Sequence, residues 1–208
     1  MRILAVETST RAGSWAVLVD GDVIAQAEGD ALRTQDQRLP HDLLALLGAH
    51  GLALADIDLF AVATGPGSFT GLRVGIATIQ GLAMATGKRV VPVPTLDAIA
   101  ADAVAGRACE GLDHVAVWLD GQRQEIFGAL YAVRPAAGQE TAAAAREAHL
   151  LMPPQVGPPG VIGREMAALA GDSRVGFAGD GAARYAGAIA ALGLGDPRLL
   201  PTGPIAPA

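Results

Sequence analysis

The sequence predicts an α/β protein of two lobes, each a mixed sheet flanked by helices, with lobes at 1–106 and 107–208. Three observations lead there. The first half alternates short β-branched runs with amphipathic stretches, and two of its strand patterns are joined through a helix pattern, which implies parallel neighbours. AVETST and the strand after it are echoed by AVWLDGQRQ and its following strand, which points to two related lobes. Of 208 residues, 43 are alanine and 27 glycine against 8 aromatics, so the cores rely on close backbone approach more than on large side chains.

Residues 2–8 (RILAVET), 14–20 (SWAVLVD) and 23–28 (VIAQAE) read as three strands, the last two separated by a Gly21-Asp22 turn signature. Residues 29–38 are polar and read as a loop. Pro40 then opens a helix carrying Leu43, Leu44, Leu46 and Leu47 up to Gly51. A strand at 58–64, the loop GPGSFTG at 65–71, a helix ending near Gly87 and the strand RVVPVP complete a βαβ pattern, and 95–106 forms another helix. In the second half, strands fall at 114–120 and 125–133 around a turn at Gly121 to Gln124. The Ala/Pro/Gly-rich stretch 134–160 lacks periodicity and reads as a variable connection without functional residues. A strand at 174–178, the turn GDGA at 179–182, a helix at 183–192 and a proline-rich tail with no closing helix follow.

Composition excludes several chemistries. Lys88 is the only lysine and stands in GKRV, outside GxxxxGKS or GxxxxGKT, which excludes the P-loop NTPases. Cys109 is the only cysteine, so no internal disulfide or multi-cysteine zinc site forms, and a reducing compartment is expected. His41, His50, His114 and His149 stand apart without HExxH or HxH spacing, so no metal site is expected. A net charge of −6 is the wrong sign for a chain that grips nucleic acid by itself. Glu7 interrupts the opening apolar run and no long uncharged apolar stretch follows, so a soluble cytoplasmic protein without membrane association is expected.

The longest local motif is ATGPGSFTGLRVGIATIQGLA at 63–83. Gly65 and Gly67 permit positive φ, Ser68 or Thr70 can cap the next helix, and its free N–H groups, with Arg73 one turn in, suit a phosphate or carboxylate. A tight, well-capped turn would use the same residues. Ser68 lies outside a GxSxG elbow, because Pro66 and Thr70 occupy the glycine positions, so no acyl-transfer nucleophile is expected. Glu7 with Ser9 beside it, Asp120, and Gly179, Asp180 and Gly181 of GDGA place acidic groups at strand ends. Such carboxylates hold Mg²⁺ or position a phosphoryl group in some folds, and elsewhere merely end strands.

Two helices carry surface suited to another chain. Leu39, Leu43, Leu44, Leu46 and Leu47 spread over about 160° of helix, wider than the roughly 100° a one-sided helix needs. In the next helix Leu72, Ile76, Ile79 and Ala83 form a core stripe, with Gly71, Gly75 and Thr78 as a small-residue stripe beside it.

Taken together, ILAVETST, the 63–83 motif, LDGQRQEIF at 119–127 and FAGDGAARY at 177–185 resemble the TsaB family of bacterial tRNA threonylcarbamoyladenosine synthesis. The resemblance covers residues 1–130 and, locally, 174–185. It implies an actin-like ASKHA (RNase H-like) fold with a degenerate ATP site and no catalytic residue of its own. It also implies pairing with the related catalytic subunit TsaD, and with itself, through the two helices matching Pro40–His50 and Thr70–Thr86. The interface set is then Leu39, Leu43, Leu44, Leu46, Leu47, Gly71, Leu72, Arg73, Gly75 and Thr78. By the same resemblance the TsaE ATPase joins the larger complex, tRNA is met indirectly, and the only cofactor use is weak ATP or ADP binding at the heterodimer interface. Glu7, Ser9, Gly65, Gly67, Ser68, Asp120, Gly179, Asp180 and Gly181 would line the vestigial nucleotide or anion site.

The sequence departs from the family in places. Glu7 replaces the usual Asp opening, Gly121-Gln122 replaces Ala-Arg in a DARMGEVY-like segment, and Thr34 stands where a histidine is common. These changes argue against metal or nucleotide binding, and PTGPIAPA stands where relatives continue, which reads as a truncated or divergent C-terminus. The expected function is a scaffold that promotes threonylcarbamoyl transfer to adenosine 37 of ANN-decoding tRNAs. Two rivals are a small ASKHA phosphotransferase using Glu7, Asp120 and GDGA around ATP·Mg²⁺, and a metal-dependent glycopeptidase-like protease.

Overall fold

The computed structural model describes residues 1–30, 35–136 and 145–201, with side chains of 35–37 left aside. The chain divides into two compact units, Met1–Ala98 and one that begins at Ile99, so the division falls inside a helix and before residue 106.

The first unit contains β1 (Arg2–Glu7), β2 (Ser14–Val19), β3 (Asp22–Glu28), α1 (Gln35–Ala49), β4 (Leu59–Ala63), α2 (Phe69–Thr86), β5 (Arg89–Val93) and the start of α3 (Thr95–Ala105). Its sheet runs β3-β2-β1-β4-β5: β1 to β3 form an antiparallel meander, and β4 and β5 add in parallel. Leu4, Val6, Val17, Phe60 and Val62 meet Leu39, Leu43, Leu47 and Ile79 in the core between the sheet and the two helices. α1 begins at Gln35, ahead of Pro40, which therefore sits inside the helix. The ring removes one intrahelical hydrogen bond, and burial of Leu39 and Leu43 on either side holds the turn in place.

α2 seats on β1 through glycine. Its buried face is Gly71, Gly75, Ile79 and Ala83, whereas Leu72 and Ile76 are half-buried at its flank. A Cβ at Gly75 would overlap the Thr8 hydroxyl, which is itself buried without a hydrogen-bond partner. The small stripe expected to serve another chain is thus used inside the unit, because only a glycine there lets the helix axis approach the end of β1.

The second unit repeats the topology. β6 (His114–Gln122), β7 (Glu125–Pro135), β8 (Arg146–Gly157), α4 (Pro159–Ala170), β9 (Val175–Ala178), α5 (Asp180–Arg184), α6 (Ala186–Ala190) and β10 (Arg198–Leu199) give the sheet order β8-β7-β6-β9-β10. This matches β3-β2-β1-β4-β5 strand for strand, as the echo of AVETST in AVWLDGQRQ suggests. The core gathers on Trp118, whose ring meets Phe177 edge-on at 5.4 Å between centroids and whose N–H points to Met166 Sδ at 3.2 Å.

Several elements differ from the sequence reading. The supposed variable connection 134–160 holds the end of β7, the whole of β8 and the start of α4, with residues 137–144 outside the described set. β8 pairs only with β7, so most of its side chains face solvent and leave no apolar alternation to read. Pro153 and Pro154 fall at a register shift, where Gly128 pairs with Gln155 but Leu130 with Met152, so neither breaks a regular ladder. α4 is signalled by Pro159 at its start, by buried Ile162, Met166 and Ala170 at i, i+4 and i+8, and by Gly171 at its end. Helix begins at Asp180, within the expected turn. β10 lies in the proline-rich tail and is too short to show periodicity; the rest of that tail, from 202 on, is outside the described residues. No helix among the described residues is long and apolar enough to cross a membrane.

Two measurements test this packing. Gly75→Ala, which forces a methyl against Thr8, is expected to lower unfolding stability by about 1–3 kcal/mol in urea titration. His114 has a buried Nδ1 without a partner, and burial holds its pKa below the ordinary value against the opposing pull of Asp113. The unfolded chain then binds a proton that the native chain resists, so stability falls as pH drops below about 6.5. Denaturant titrations at pH 8 and pH 5 should show a smaller acid loss for His114→Gln than for the wild type.

Candidate functional site

In the first unit the candidate residues meet where β1 ends. Glu7 is buried, and its carboxylate folds back on its own turn. Oε1 accepts from the Ser9 N–H and hydroxyl and from the Thr10 N–H at 2.9 Å, and Oε2 accepts from the Thr10 hydroxyl at 2.9 Å. Four donors from Ser9 and Thr10 occupy both oxygens, which makes Glu7 a staple for the turn into β2. A cation there would have to displace them.

The stapled turn holds the GPGSFTG loop. Ser68 N–H donates to the Ser9 carbonyl at 2.7 Å, and the Ser68 hydroxyl caps α2 by accepting from Gly71 N–H at 3.2 Å. Gly67 has φ +151°, and a Cβ there would overlap Ser9, so this contact requires glycine. Gly65 is clamped from the other side, its carbonyl accepting from Thr95 N–H at 2.8 Å and its N–H donating to the Thr95 hydroxyl at 3.2 Å. Arg73, expected near an anion at the helix start, instead stacks on Phe69, 3.8 Å from the ring centroid. Phe69 is 67% exposed.

In the second unit Asp120 and Asp180 come together, as their positions at strand ends suggest. Asp120 N–H donates to Asp180 Oδ1 at 2.9 Å. The Asp120 carboxylate, only 10% exposed, accepts from Gln122 N–H (3.1 Å), Gln122 Nε2 (3.3 Å) and the Tyr185 hydroxyl (3.4 Å), with Arg184 Nε 3.6 Å away. Gly179 and Gly181 lie against the β6 backbone, where a Cβ on Gly179 would overlap the Trp118 carbonyl oxygen. Both carboxylate sites are therefore occupied by protein donors. Among the described residues, no group of three or more His, Cys, Asp or Glu could hold a metal ion, and Thr34 is outside them. Tyr185, Arg184 and Thr95 are the partners that the sequence reading missed; only tertiary contact selects them from other polar residues.

The interface candidates separate by burial. Leu39, Leu43 and Leu47 are buried in the core of the first unit, Leu46 is half-buried, and Leu44 is 50% exposed. On α2, Gly71 and Gly75 are buried, Leu72 and Thr78 half-buried and Arg73 exposed. Arg73, Ala77, Gln80 and Met84 form the outward stripe, and Met84, which the sequence reading passed over, is 84% exposed.

A family model described as TsaD: tRNA N6-adenosine threonylcarbamoyltransferase matches residues 29–190. The chain belongs to this family, in its TsaB/YeaZ group. The Escherichia coli protein named tRNA threonylcarbamoyladenosine biosynthesis protein TsaB is 37% identical over 131 residues, 63% of this chain and 55% of that relative. The Bacillus subtilis protein of the same name is 30% identical over 63% of this chain and 55% of its own length. The chain spans about half the length of the curated relatives it matches. Among solved structures, YeaZ from Pseudomonas aeruginosa superposes with a TM-score of 0.69 at 29% identity, covering 89% of this chain and 78% of that one. A ROK hexokinase from Thermus thermophilus, 12% identical, reaches 0.50 over 96% of this chain and 92% of its own, which shows the fold alone. The fold is thus the actin-like α/β fold, and the TsaB-family chain carries it as two mixed five-stranded sheets flanked by helices.

The β6–β7 turn supplies a test of the second site. Gln122, Arg123 and Gln124 take φ values of +64°, +50° and +65°, whereas the β2–β3 turn uses Asp20 and Gly21 at +54° and +98°. Left-handed backbone disfavours side chains with a Cβ, and two-residue hairpin turns favour Asn-Gly. Arg123→Asn with Gln124→Gly is expected to raise unfolding stability by about 1–2 kcal/mol, read as a higher urea midpoint.

Proposed function

We propose that this chain is a non-catalytic partner subunit in the formation of N6-threonylcarbamoyladenosine at adenosine 37 of tRNA, docking a TsaD-type catalytic subunit on the outward faces of α1 and α2. The observation that carries the reading is the family match over residues 29–190, joined to 37% identity with a TsaB protein. The saturated carboxylates of Glu7 and Asp120 support a role without chemistry, since neither offers a free oxygen for a cation or a proton transfer. Leu44 and Met84 support docking: large apolar side chains half or more exposed on adjacent helices gain burial when another chain covers them.

In this reading the protein works in the cytoplasm, associates with itself through the same helices when alone, meets tRNA through the complex, and joins a larger assembly with the TsaE ATPase. It needs no metal, and nucleotide contact is limited to weak ATP or ADP binding at the heterodimer interface.

Mass measurement of the purified chain alone and mixed with a TsaD-type subunit tests the proposal. A heteromer is expected with the wild type, and Leu44→Glu should abolish it while leaving the thermal midpoint unchanged. Charge at Leu43 would be uninformative, because that side chain is buried and its loss would unfold the core. Micromolar ATP·Mg²⁺ binding by the isolated chain in calorimetry, with phosphoryl transfer, would overturn the non-catalytic reading.

A further inference from the structure

The last turn of α2 and the start of β5 enclose a shallow notch of about 550 Å³, lined by Gln80, Ala83, Met84, Gly87, Lys88 and Val90. Its floor and one wall are apolar: Ala83 is buried, Val90 half-buried and Met84 almost fully exposed. Its single charged lining residue is Lys88, the one lysine of the chain, half-buried at the rim. No carboxylate lines the notch, and among the described residues Lys88 and its neighbour Arg89 belong to no ion pair. In a chain of net charge −6, a cavity whose single charged lining residue is an unpaired cation and whose wall holds no acid is locally opposite in sign to the whole.

The notch also continues the outward stripe of α2. Residues 73, 77, 80 and 84 recur at i, i+4, i+7 and i+11, so Gln80 and Met84 belong both to that stripe and to the notch. A partner helix laid along α2 would bring its end over Lys88.

We propose that this notch receives an acidic–apolar segment of the docked catalytic subunit, an aliphatic side chain packing on Met84 and Ala83 with a nearby carboxylate paired to Lys88. The proposal rests on the docking reading above and adds what selects the partner. Apolar contact with Met84 is permissive, while the carboxylate requirement at Lys88 discriminates among chains that present a hydrophobic helix. The half-buried position of Lys88 matters here: a pair closed over by the partner is screened less by solvent than an exposed one.

Calorimetric titration of the full chain with a TsaD-type subunit at about 50 mM and 300 mM salt tests this. Wild-type affinity should fall with salt. Lys88→Met should weaken binding about tenfold at low salt and flatten the salt dependence, Lys88→Glu should weaken it further, and Met84→Ala should weaken it without changing the salt dependence. Thermal midpoints should stay at the wild-type value, since both side chains lie at the surface. If the Lys88 and Met84 variants bind like wild type while Leu44→Glu abolishes binding, the notch assignment is overturned and the docking reading stands. If the wild type forms no complex, both fall. If the Lys88 variants alter only self-association, the occupant is a second copy of this chain and the assignment to the catalytic subunit is overturned.

Discussion

The contact between the end of β1 and the start of α2 is the constraint on which the first unit depends. Glu7 ties Ser9 and Thr10 into a fixed turn, the Ser9 carbonyl then takes the Ser68 N–H, and Ser68 caps α2. Two turns further along, Gly75 rests on Thr8. The helix is therefore held at its cap and again two turns in by two consecutive residues, Ser9 and Thr8, after a single strand. Everything presented by the outward face of α2, from Arg73 to Met84, inherits its position from that seat.

The second unit solves the same problem with different residues. The segment after β9 lies against the end of β6 through Gly179 and Gly181, and Asp180 accepts the Asp120 N–H where Ser9 accepts Ser68 in the first unit. In both units an acidic side chain near a strand end accepts from protein donors, all within its own turn for Glu7 and from Gln122 and Tyr185 for Asp120. An oxygen already accepting from backbone and hydroxyl groups has a desolvation cost to change partners.

Much of this was legible beforehand. Strands alternating around a βαβ unit, the Gly-Pro-Gly loop and the recurrence of AVETST as AVWLDGQRQ are local patterns, and local patterns survive without knowledge of neighbours. β8 was not legible, because an edge strand with one pairing partner and few buried side chains carries little hydrophobic period, and its Pro-Pro pair reads as a breaker until the register shift opposite Ala129 is known. The division of the leucines was not legible either. Leu43 and Leu44 are adjacent in sequence and equal in chemistry, yet one is core and the other surface.

The sequence by itself determined the α/β class, the two-lobed repeat, the lack of a P-loop motif and of the second cysteine that a disulfide would need, and the family. These follow from residue types and spacings that fix backbone geometry or exclude a chemistry whatever the neighbours. Only the tertiary structure decided that Glu7 and Asp120 are saturated, that Gly71 and Gly75 face inward, and that Met84 and Lys88 face outward around one notch. Burial is set by residues far apart in the chain, the donors around Glu7 and Asp120 depend on how the backbone turns after each strand, and a helical stripe does not say which of its neighbours is the sheet.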